Sequence, residues 1–420
     1  MYPREFPVEK AFRDLTKLEE LLGMSWLEKR LDGFQKRQEG WAKRPYTIWS
    51  NPEPHPLIPG MSDLREWNRR GYSVRKRRLP RETLFAAEHA RYISMVLSTF
   101  PQETRVRMRE YLGKRLRDDS PGPILFEVRI SASLLLHGHS AKWLSPIIED
   151  SHDIEIVGPS GAVAVECKCQ GLGAGRKVPN ELFRRLVGEV DRVDGVSKSE
   201  YGIVIEPFDR LEPSDIPKLV DFLEDVFRRS EEAARELSFK GQYFVSARLL
   251  CPRGSRVPFA EAKRLLEETK PKGPGGLHFA VKSDAHISDS VPDTREINPG
   301  FLICESRVRD HVLTDLMELA EDAADRLPTD KPGIVAVHVS EHIDWAALGD
   351  ASALDYAVTK TFSSAKKVHV SLIVFSCEDQ DYPMGPRYVG SLPYKVYASS
   401  YANHPISTDF IWPQRQTRDS

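Results

Sequence analysis

The feature that most constrains the fold is a pair of short alternating segments joined by a tight-turn sequence. In residues 162–169 (AVAVECKC) the odd positions are valine or cysteine, whereas the even positions are two alanines, Glu166 and Lys168. Residues 153–157 (DIEIV) alternate in the same way, and Gly-Pro-Ser-Gly follows them. Because side chains two apart share one face of a strand, the pattern predicts a β-hairpin with one apolar face. The other face would carry Glu166 beside Lys168, with Asp153 close by.

The segments around this hairpin are expected to complete an α/β core. An apolar helix is predicted over residues 124–138, and a short strand over 142–148. After the hairpin and a glycine-rich loop, a helix is predicted over 180–193 and a buried strand over 201–207. Another helix is predicted over 214–237. The expected order is therefore helix, three strands, helix, strand.

The charged face of the hairpin has a chemistry of its own. Asp153 and Glu166 supply carboxylate oxygens, and Mg²⁺ is bound in proteins by one or two carboxylates together with water and substrate phosphates. A bound metal polarises a phosphodiester and lowers the pKa of a coordinated water. The ammonium of Lys168 can position that water and offset developing negative charge. The trio predicts phosphodiester hydrolysis, whereas solvated charges with no such role are the plainer alternative.

Residues 124–207 resemble the PD-(D/E)XK superfamily of restriction and repair nucleases. The resemblance lies in ILFEVRISASLLLHGHS, HDIEIVGPSG and VAVECKCQ. It implies a restriction-endonuclease-like core, which is a mixed central sheet flanked by helices. A glutamate on the first helix, an aspartate opening the second strand and Glu-x-Lys on the third form the metal site in that family. Here these positions are Glu127, Asp153, Glu166 and Lys168.

The resemblance also sets the expected cofactor and substrate. Asp153, Glu166 and Glu127 are expected to hold Mg²⁺ or Mn²⁺, and Lys168 to act on the nucleophilic water. Some members carry a glutamine after the lysine, so Gln170 joins the candidate catalytic set. The proline that usually precedes the aspartate is His152 in this sequence. The expected activity is a nuclease on nucleic acid, more specifically DNA, in restriction, defence or repair.

A basic segment suggests where nucleic acid would bind. Between Arg65 and Arg117 there are fifteen lysines and arginines against five acidic residues, although the whole chain carries a net charge of −2. Such a segment is typical of a polyanion-binding surface, and a solvated helix face is the alternative. The candidate backbone contacts are Arg69, Arg70, Arg75, Lys76, Arg77, Arg78, Arg184 and Arg185.

The chain is expected to divide into three regions. They are a mostly helical, basic region at 1–118, the nuclease-like core at 119–238, and a second α/β region at 239–420. In the last region GFLICESR, a helix and GIVAVHV echo AVAVECKC, a helix and YGIVIEP. This echo indicates either a duplicated and altered core or two ordinary strand–helix–strand units.

Composition limits the remaining choices. Five scattered cysteines argue against a disulfide framework, and neither a secretory signal nor a run of about 18 apolar residues is visible. We therefore expect an intracellular, cytoplasmic protein without a membrane span. Two alternatives to a nuclease stay open, namely a non-catalytic nucleic-acid-binding module and a protein-interaction scaffold. Homodimerisation or binding of partner proteins would then involve the C-terminal region.

Overall fold

The structure is a computed structural model, and part of the chain is described by it. The described residues are 8–42, 46–47, 55–70, 81–144, 151–158, 161–171, 174–193, 201–229, 233–238, 242–250, 255–269, 277–282, 296–339, 351–363, 367–377, 394–408 and 410. Four of the candidate backbone contacts lie outside these residues, namely Arg75, Lys76, Arg77 and Arg78.

The helices begin in the N-terminal third and recur between the strands. They are α1 (Val8–Leu22), α2 (Met24–Ala42), α3 (Ile58–Arg70), α4 (Arg81–Ser98), α5 (Gln102–Leu116), α6 (Gly122–Leu136), α7 (Asn180–Val190), α8 (Ile216–Arg229), α9 (Phe259–Thr269), α10 (Val312–Arg326) and α11 (Ala351–Phe362). Pro101 separates α4 from α5, because a proline ring fits the start of a helix and not its interior.

The strands of the first half include the predicted hairpin. They are β1 (Tyr46–Thr47), β2 (Ser140–Trp143), β3 (Ile154–Gly158), β4 (Gly161–Gln170), β5 (Tyr201–Pro207), β6 (Ala233–Ser238) and β7 (Gln242–Leu249). The later strands are β8 (Val257–Pro258), β9 (Leu277–Lys282), β10 (Glu296–Ile297), β11 (Phe301–Glu305), β12 (Gly333–Val339), β13 (Val370–Cys377) and β14 (Tyr394–Ala398). The chain is therefore a mixed α/β protein, as the alternating strand and helix patterns predict.

The chain forms two compact units. Unit 1 contains residues 1–36, 53–171 and 314–420, and unit 2 contains residues 37–52 and 172–313. These units differ from the three consecutive regions drawn from the sequence, because the N-terminal helices and the C-terminal strands belong to one unit.

Unit 1 is built on a mixed sheet in the order β14-β13-β12-β4-β3-β2. Strands β2, β3 and β4 are antiparallel neighbours, and Gly158 pairs with Gly161 where the hairpin turns. Strand β12 runs parallel to β4 and to β13. One hydrophobic core joins this sheet to α1, α4, α5 and α6. These helices thus cover the face of β4 that carries Val163, Val165 and Cys167.

Unit 2 has its own sheet, in the order β1-β9-β11-β5-β7-β6. Strand β5 is parallel to β11 and antiparallel to β7. Apolar side chains of α7 and α8 pack with β5 and β7 in a second core. This pairing corrects one sequence expectation, since the strand at 201–207 was expected to complete the same core as the hairpin, whereas β5 belongs to the other sheet.

The neighbour that β4 acquires instead is β12, which follows α10. In each sheet a parallel pair forms between one early and one late strand, β4 with β12 and β11 with β5. In the two segments that echo each other in sequence, β4 precedes β5, and β11 precedes β12. In the sheets, however, β4 pairs with β12 and β11 pairs with β5. The two sheets also share a local arrangement. Strand β4 has β3 as its antiparallel neighbour, and β11 has β9 as its antiparallel neighbour.

A second correction concerns the end of α8. The helix was expected to continue through residue 237, but it ends at Arg229, and β6 pairs antiparallel with β7. The local preference for helix is therefore overridden by strand pairing. Within the described residues, no helix is both long and apolar enough to cross a membrane.

Candidate active site

Strand β4 presents Glu166 and Lys168 on one face, as its alternation predicts. Val163, Val165 and Cys167 lie in the core that contains α6, whereas Glu166 and Lys168 reach side chains of α10. Lys168 Nζ lies 3.5 Å from Glu166 Oε1, and the two side chains are 15% and 2% exposed. A buried carboxylate and an ammonium group are thus fixed side by side on a central strand.

Asp153 is held at the point where the hairpin opens. It precedes β3, and its Oδ2 accepts a hydrogen bond of 2.8 Å from the backbone amide of Cys167. The last backbone pairing on that side is Ile154 with Val165. The hydrogen bond between Asp153 and the Cys167 amide therefore joins the two segments just beyond their last backbone pair. This bond places the Asp153 carboxylate beside β4.

Glu127, on α6, joins the same group of charges. Burial, followed by the negative charges of Asp153 and Glu166, raises its pKa to about 8 against the opposing charge of Arg115. The side chain is only partly exposed. Asp153 is also the largest charge acting on Glu166, so it is the central member of the three carboxylates. The structure thus brings Glu127, Asp153 and Glu166 close enough for their charges to interact.

Glu166 has the most constrained environment of the three. Burial and the charge of Asp153 raise its pKa to about 7, although Lys168 and Arg326 act in the opposite direction. Its Oε2 atom is buried and accepts no hydrogen bond from any described residue. An ionised carboxylate in such a place is normally satisfied by a cation or by donors. A cation or a hydrogen-bond donor is therefore the kind of partner that Glu166 Oε2 lacks among the described residues.

Two residues of α10 that sequence reasoning missed complete one side of the site. Asp322 Oδ2 lies 2.6 Å from Lys168 Nζ, and an Arg326 guanidinium nitrogen lies 3.8 Å from Glu166 Oε1. Both side chains are more than half exposed. Their only sequence signal is their spacing of one helical turn, which places them on one face of α10.

Two residues of α5 lie on another side. Burial and the charge of Glu127 raise the pKa of Tyr111, while the positive charge of Arg115 opposes that shift. Arg115 also lowers the pKa of Glu127. The sequence placed both residues in a basic segment, and nothing in their spacing pointed to the carboxylates.

The other candidate residues are distributed more widely. Gln170 ends β4, is buried, and pairs with Val339 of β12. Arg69, on α3, is exposed and forms an ion pair with Glu66, and Arg70 is the last residue of α3. Arg184 and Arg185 lie on α7, which belongs to unit 2. The roles of all five stay predictions.

The carboxylates do not form a ready-made metal cage. Among the described residues, no group of three or more His, Cys, Asp or Glu side chains is arranged to hold a metal ion. The donors that are present are oxygens, and one of them, Glu166 Oε2, is buried without a hydrogen-bond partner within the described chain. This set fits a hard cation bound by one or two carboxylates, with its remaining ligands supplied by water or substrate.

The raised pKa of Glu166 has a consequence for stability. In the presence of EDTA, the stability that protonation of Glu166 provides is fully present below its unfolded pKa of 4.5, and is lost as pH rises through its folded pKa of about 7. We expect a loss of about 2–3 kcal/mol across this range. Urea denaturation of wild type and Glu166→Gln between these pH values would measure it. The Glu166→Gln variant should show a flatter profile, and equal profiles would contradict the assigned burial of the charge.

Comparisons with known proteins add nothing to this geometry. Neither a protein-family model, nor a curated protein sequence, nor a solved structure matches the chain. The function must therefore be argued from the site.

Proposed function

We propose that the protein is a metal-dependent nuclease that hydrolyses phosphodiester bonds of nucleic acid, specifically DNA. The observation that carries this proposal is the geometry around β4. A buried glutamate with an oxygen that lacks a hydrogen-bond partner in the described chain lies 3.5 Å from a lysine. An aspartate bonded to the same strand adds a second carboxylate.

The chain order supports a restriction-endonuclease-like core for unit 1. Helix α6 is followed by the antiparallel strands β2, β3 and β4, and then, after residues 172–313, by α10 and the parallel strand β12. The order is helix, three strands, helix, strand, but α10 and β12 stand where the sequence predicted residues 180–193 and 201–207. Glu127 on α6, Asp153 just before β3, and Glu166 with Lys168 on β4 follow the order that the resemblance implies.

The carboxylates of Asp153 and Glu166 would hold Mg²⁺ or Mn²⁺, and Glu127 would orient a water ligand. When bound, such an ion polarises the phosphodiester and makes a coordinated water more acidic. Asp153 is suited to the central role because its charge acts on both glutamates. Burial of Glu166 strengthens any interaction with a cation, because the surroundings screen charge less than water does.

Lys168 and Arg326 supply the positive groups. Asp322 pairs with the Lys168 ammonium and keeps the ammonium beside Glu166. From this position the ammonium can donate a hydrogen bond to an attacking water. Arg326 is mostly exposed while it contacts Glu166. Once a cation neutralises Glu166, the guanidinium can pair with a phosphate oxygen instead. Both groups would stabilise negative charge that develops on the phosphoryl oxygens.

The proposal is tested by incubating the purified protein with supercoiled plasmid, linear duplex and single-stranded DNA. Parallel reactions contain Mg²⁺, Mn²⁺ or EDTA, and a Lys168→Ala protein prepared identically controls for contaminating nucleases. Cutting that requires metal and is absent from the variant supports the proposal. Equal cutting by wild type and variant would reject it.

One observation favours a second candidate, a non-catalytic nucleic-acid-binding protein. The excess of lysine and arginine between Arg65 and Arg117 would bind nucleic acid whether or not the carboxylates cut it. This candidate requires DNA binding that is equal in EDTA and in Mg²⁺ and is unaffected by Lys168→Ala. The same preparations distinguish it from the nuclease.

The Asp322–Lys168 contact gives a further prediction. Replacing Asp322 with Asn removes the charge that holds the ammonium at 2.6 Å, so Lys168 should sample positions away from Glu166. We expect kcat to fall about tenfold with little change in KM, because positioning is lost and substrate contacts are not. Asp325→Asn, three residues along α10 and paired with Lys367, is the matched control. An unchanged kcat in Asp322→Asn would assign the contact to structure alone.

A further inference from the structure

Helix α5 carries a stripe of polar side chains that ends at the carboxylates. Arg107, Tyr111, Lys114 and Arg115 follow the spacing i, i+4, i+7, i+8, so they lie along one side of the helix. Of these, Tyr111 and Arg115 interact electrostatically with Glu127. Arg107, Lys114 and Arg115 are exposed. We call these four residues the α5 stripe.

The orientation of α5 is fixed by packing. Met108, Leu112 and Leu116 are buried on its inner side, and Gly113 lies so close to α1 that a β-carbon there would be 2.7 Å from the Leu21 carbonyl oxygen. The helix therefore cannot turn about its axis to hide the α5 stripe. The exposed positive charges are a fixed feature of the surface beside the site.

The arginines on the other side of α5 are already engaged. Arg109 pairs with Glu20 of α1 at 3.4 Å, and Arg105 donates a hydrogen bond of 2.8 Å to the Phe100 carbonyl oxygen. In contrast, neither Arg107 nor Lys114 forms an ion pair with a described residue. Arg115 meets the exposed Asp118 only at 3.4 Å.

A helix-capping role does not account for the α5 stripe. Lys114 and Arg115 lie in the last turn, where positive charge stabilises the helix dipole. Arg107 lies two turns earlier, where that effect has faded. Residues 102–117 hold six cationic side chains against two glutamates, so the excess is far larger than capping requires.

We propose that the α5 stripe binds the sugar–phosphate backbone of DNA and leads it to Glu127 and Asp153. This inference rests on the proposed nuclease function and identifies the substrate-binding surface of the same site. The eight-residue step from Arg107 to Arg115 rises about 12 Å along the helix, which matches about three base-pair steps of one strand. Charge complementarity with phosphate, together with the packing of α5 against α6, the helix that carries Glu127, selects a nucleic-acid backbone as the occupant.

The test compares two double variants of the full-length protein that remove equal charge from one helix. Arg107→Gln with Lys114→Gln removes two of the three positive charges of the α5 stripe, and Arg105→Gln with Arg109→Gln removes two from the opposite side. Binding of a short fluorescent DNA duplex is measured by anisotropy in EDTA over a range of salt concentrations, with an RNA duplex as competitor. Thermal unfolding of each variant confirms that it is folded.

For the stripe variant we expect binding about tenfold weaker at low salt, and a salt dependence whose logarithmic slope is smaller by about 2. The opposite-side variant should bind within about twofold of wild type, which is the ordinary scatter for surface changes. Equal weakening in both variants, or none in the stripe variant, would overturn the proposal. Preferential competition by the RNA duplex would also overturn the proposal.

Cleavage of the same duplex in Mg²⁺ separates this inference from the nuclease proposal. If wild type binds through the α5 stripe but does not cut, the stripe stands and the nuclease proposal fails. If wild type cuts and the stripe variant has the same kcat/KM, the nuclease proposal stands and the stripe is rejected.

Discussion

Asp153→Asn is expected to lower the rate of Mg²⁺-dependent DNA cleavage about a thousandfold or more. Asp153 is the charge that acts most strongly on both Glu127 and Glu166 among their ionised neighbours, so its loss removes the centre of the carboxylate group. A metal ion contributes several kcal/mol to transition-state stabilisation, and each 1.36 kcal/mol corresponds to about a factor of ten in rate. Initial rates of plasmid nicking at saturating Mg²⁺ measure the effect.

The fold should tolerate this change. The side-chain oxygen of asparagine can still accept the hydrogen bond that the Cys167 amide donates to Asp153 at 2.8 Å. Removing the charge of one of these neighbouring carboxylates should also relieve repulsion, so stability without metal should be unchanged or slightly higher. An increase in unfolding temperature on adding Mg²⁺ should be present in wild type and absent in Asp153→Asn.

Glu155, on β3, provides the matched control. It lies two residues from Asp153, is partly exposed, and pairs with Lys331 at 2.8 Å, an interaction that lowers its pKa. Glu155→Gln should cut DNA within about twofold of wild type, because the pair lies outside the carboxylate group. The metal site is assigned incorrectly if Asp153→Asn cuts within tenfold of wild type, or if both variants lose activity equally.

How much of this site the sequence could predict depends on the range of the interactions. The pairing of β3 with β4 follows from a two-residue period and a short turn, which are local signals. The placement of Glu166 and Lys168 on one face follows from the same period. The hydrogen bond from Cys167 to Asp153 did not follow from it, although the proximity of Asp153 to β4 did.

The partner of β4 could not be predicted from local patterns. Strands β5 and β12 are both short, apolar and fully buried, and each follows an amphipathic helix. Either sequence would serve as the closing strand, so the choice depends on which helix packs on which sheet. The strand that closes each sheet is therefore determined by the packing of the whole chain and not by the local sequence.

The helical residues of the site illustrate the same limit. Tyr111, Arg115, Asp322 and Arg326 lie in ordinary amphipathic helices, where a charged residue on an exposed face is the commonest arrangement. Only the packing of α5 on α6 and of α10 beside β4 brings them to the carboxylates. At the end of α8, a stretch rich in good helix formers becomes β6, because β7 offers a strand to pair with.

A buried ion pair between α4 and α6 gives the largest expected effect on stability. Arg129 lies 3.1 Å from Glu88, their side chains are 8% and 2% exposed, and Tyr92 donates a 2.6 Å hydrogen bond to the same carboxylate. Arg129→Met should lower the free energy of unfolding by about 3–5 kcal/mol, because it leaves the Glu88 charge buried without its cation. Chemical denaturation measures this change.

Two controls separate the loss of a partner from the loss of packing. Glu88→Leu combined with Arg129→Met should recover most of the stability, because no charge then remains buried. Lys36→Met, which breaks an exposed pair with Asp32 at 2.7 Å in the same unit, should change stability by less than about 1 kcal/mol. If Arg129→Met were as mild as Lys36→Met, the Glu88–Arg129 pair would not be what fixes α6 against α4. The placement of Glu127 on α6, two residues before Arg129, would then depend on apolar packing alone.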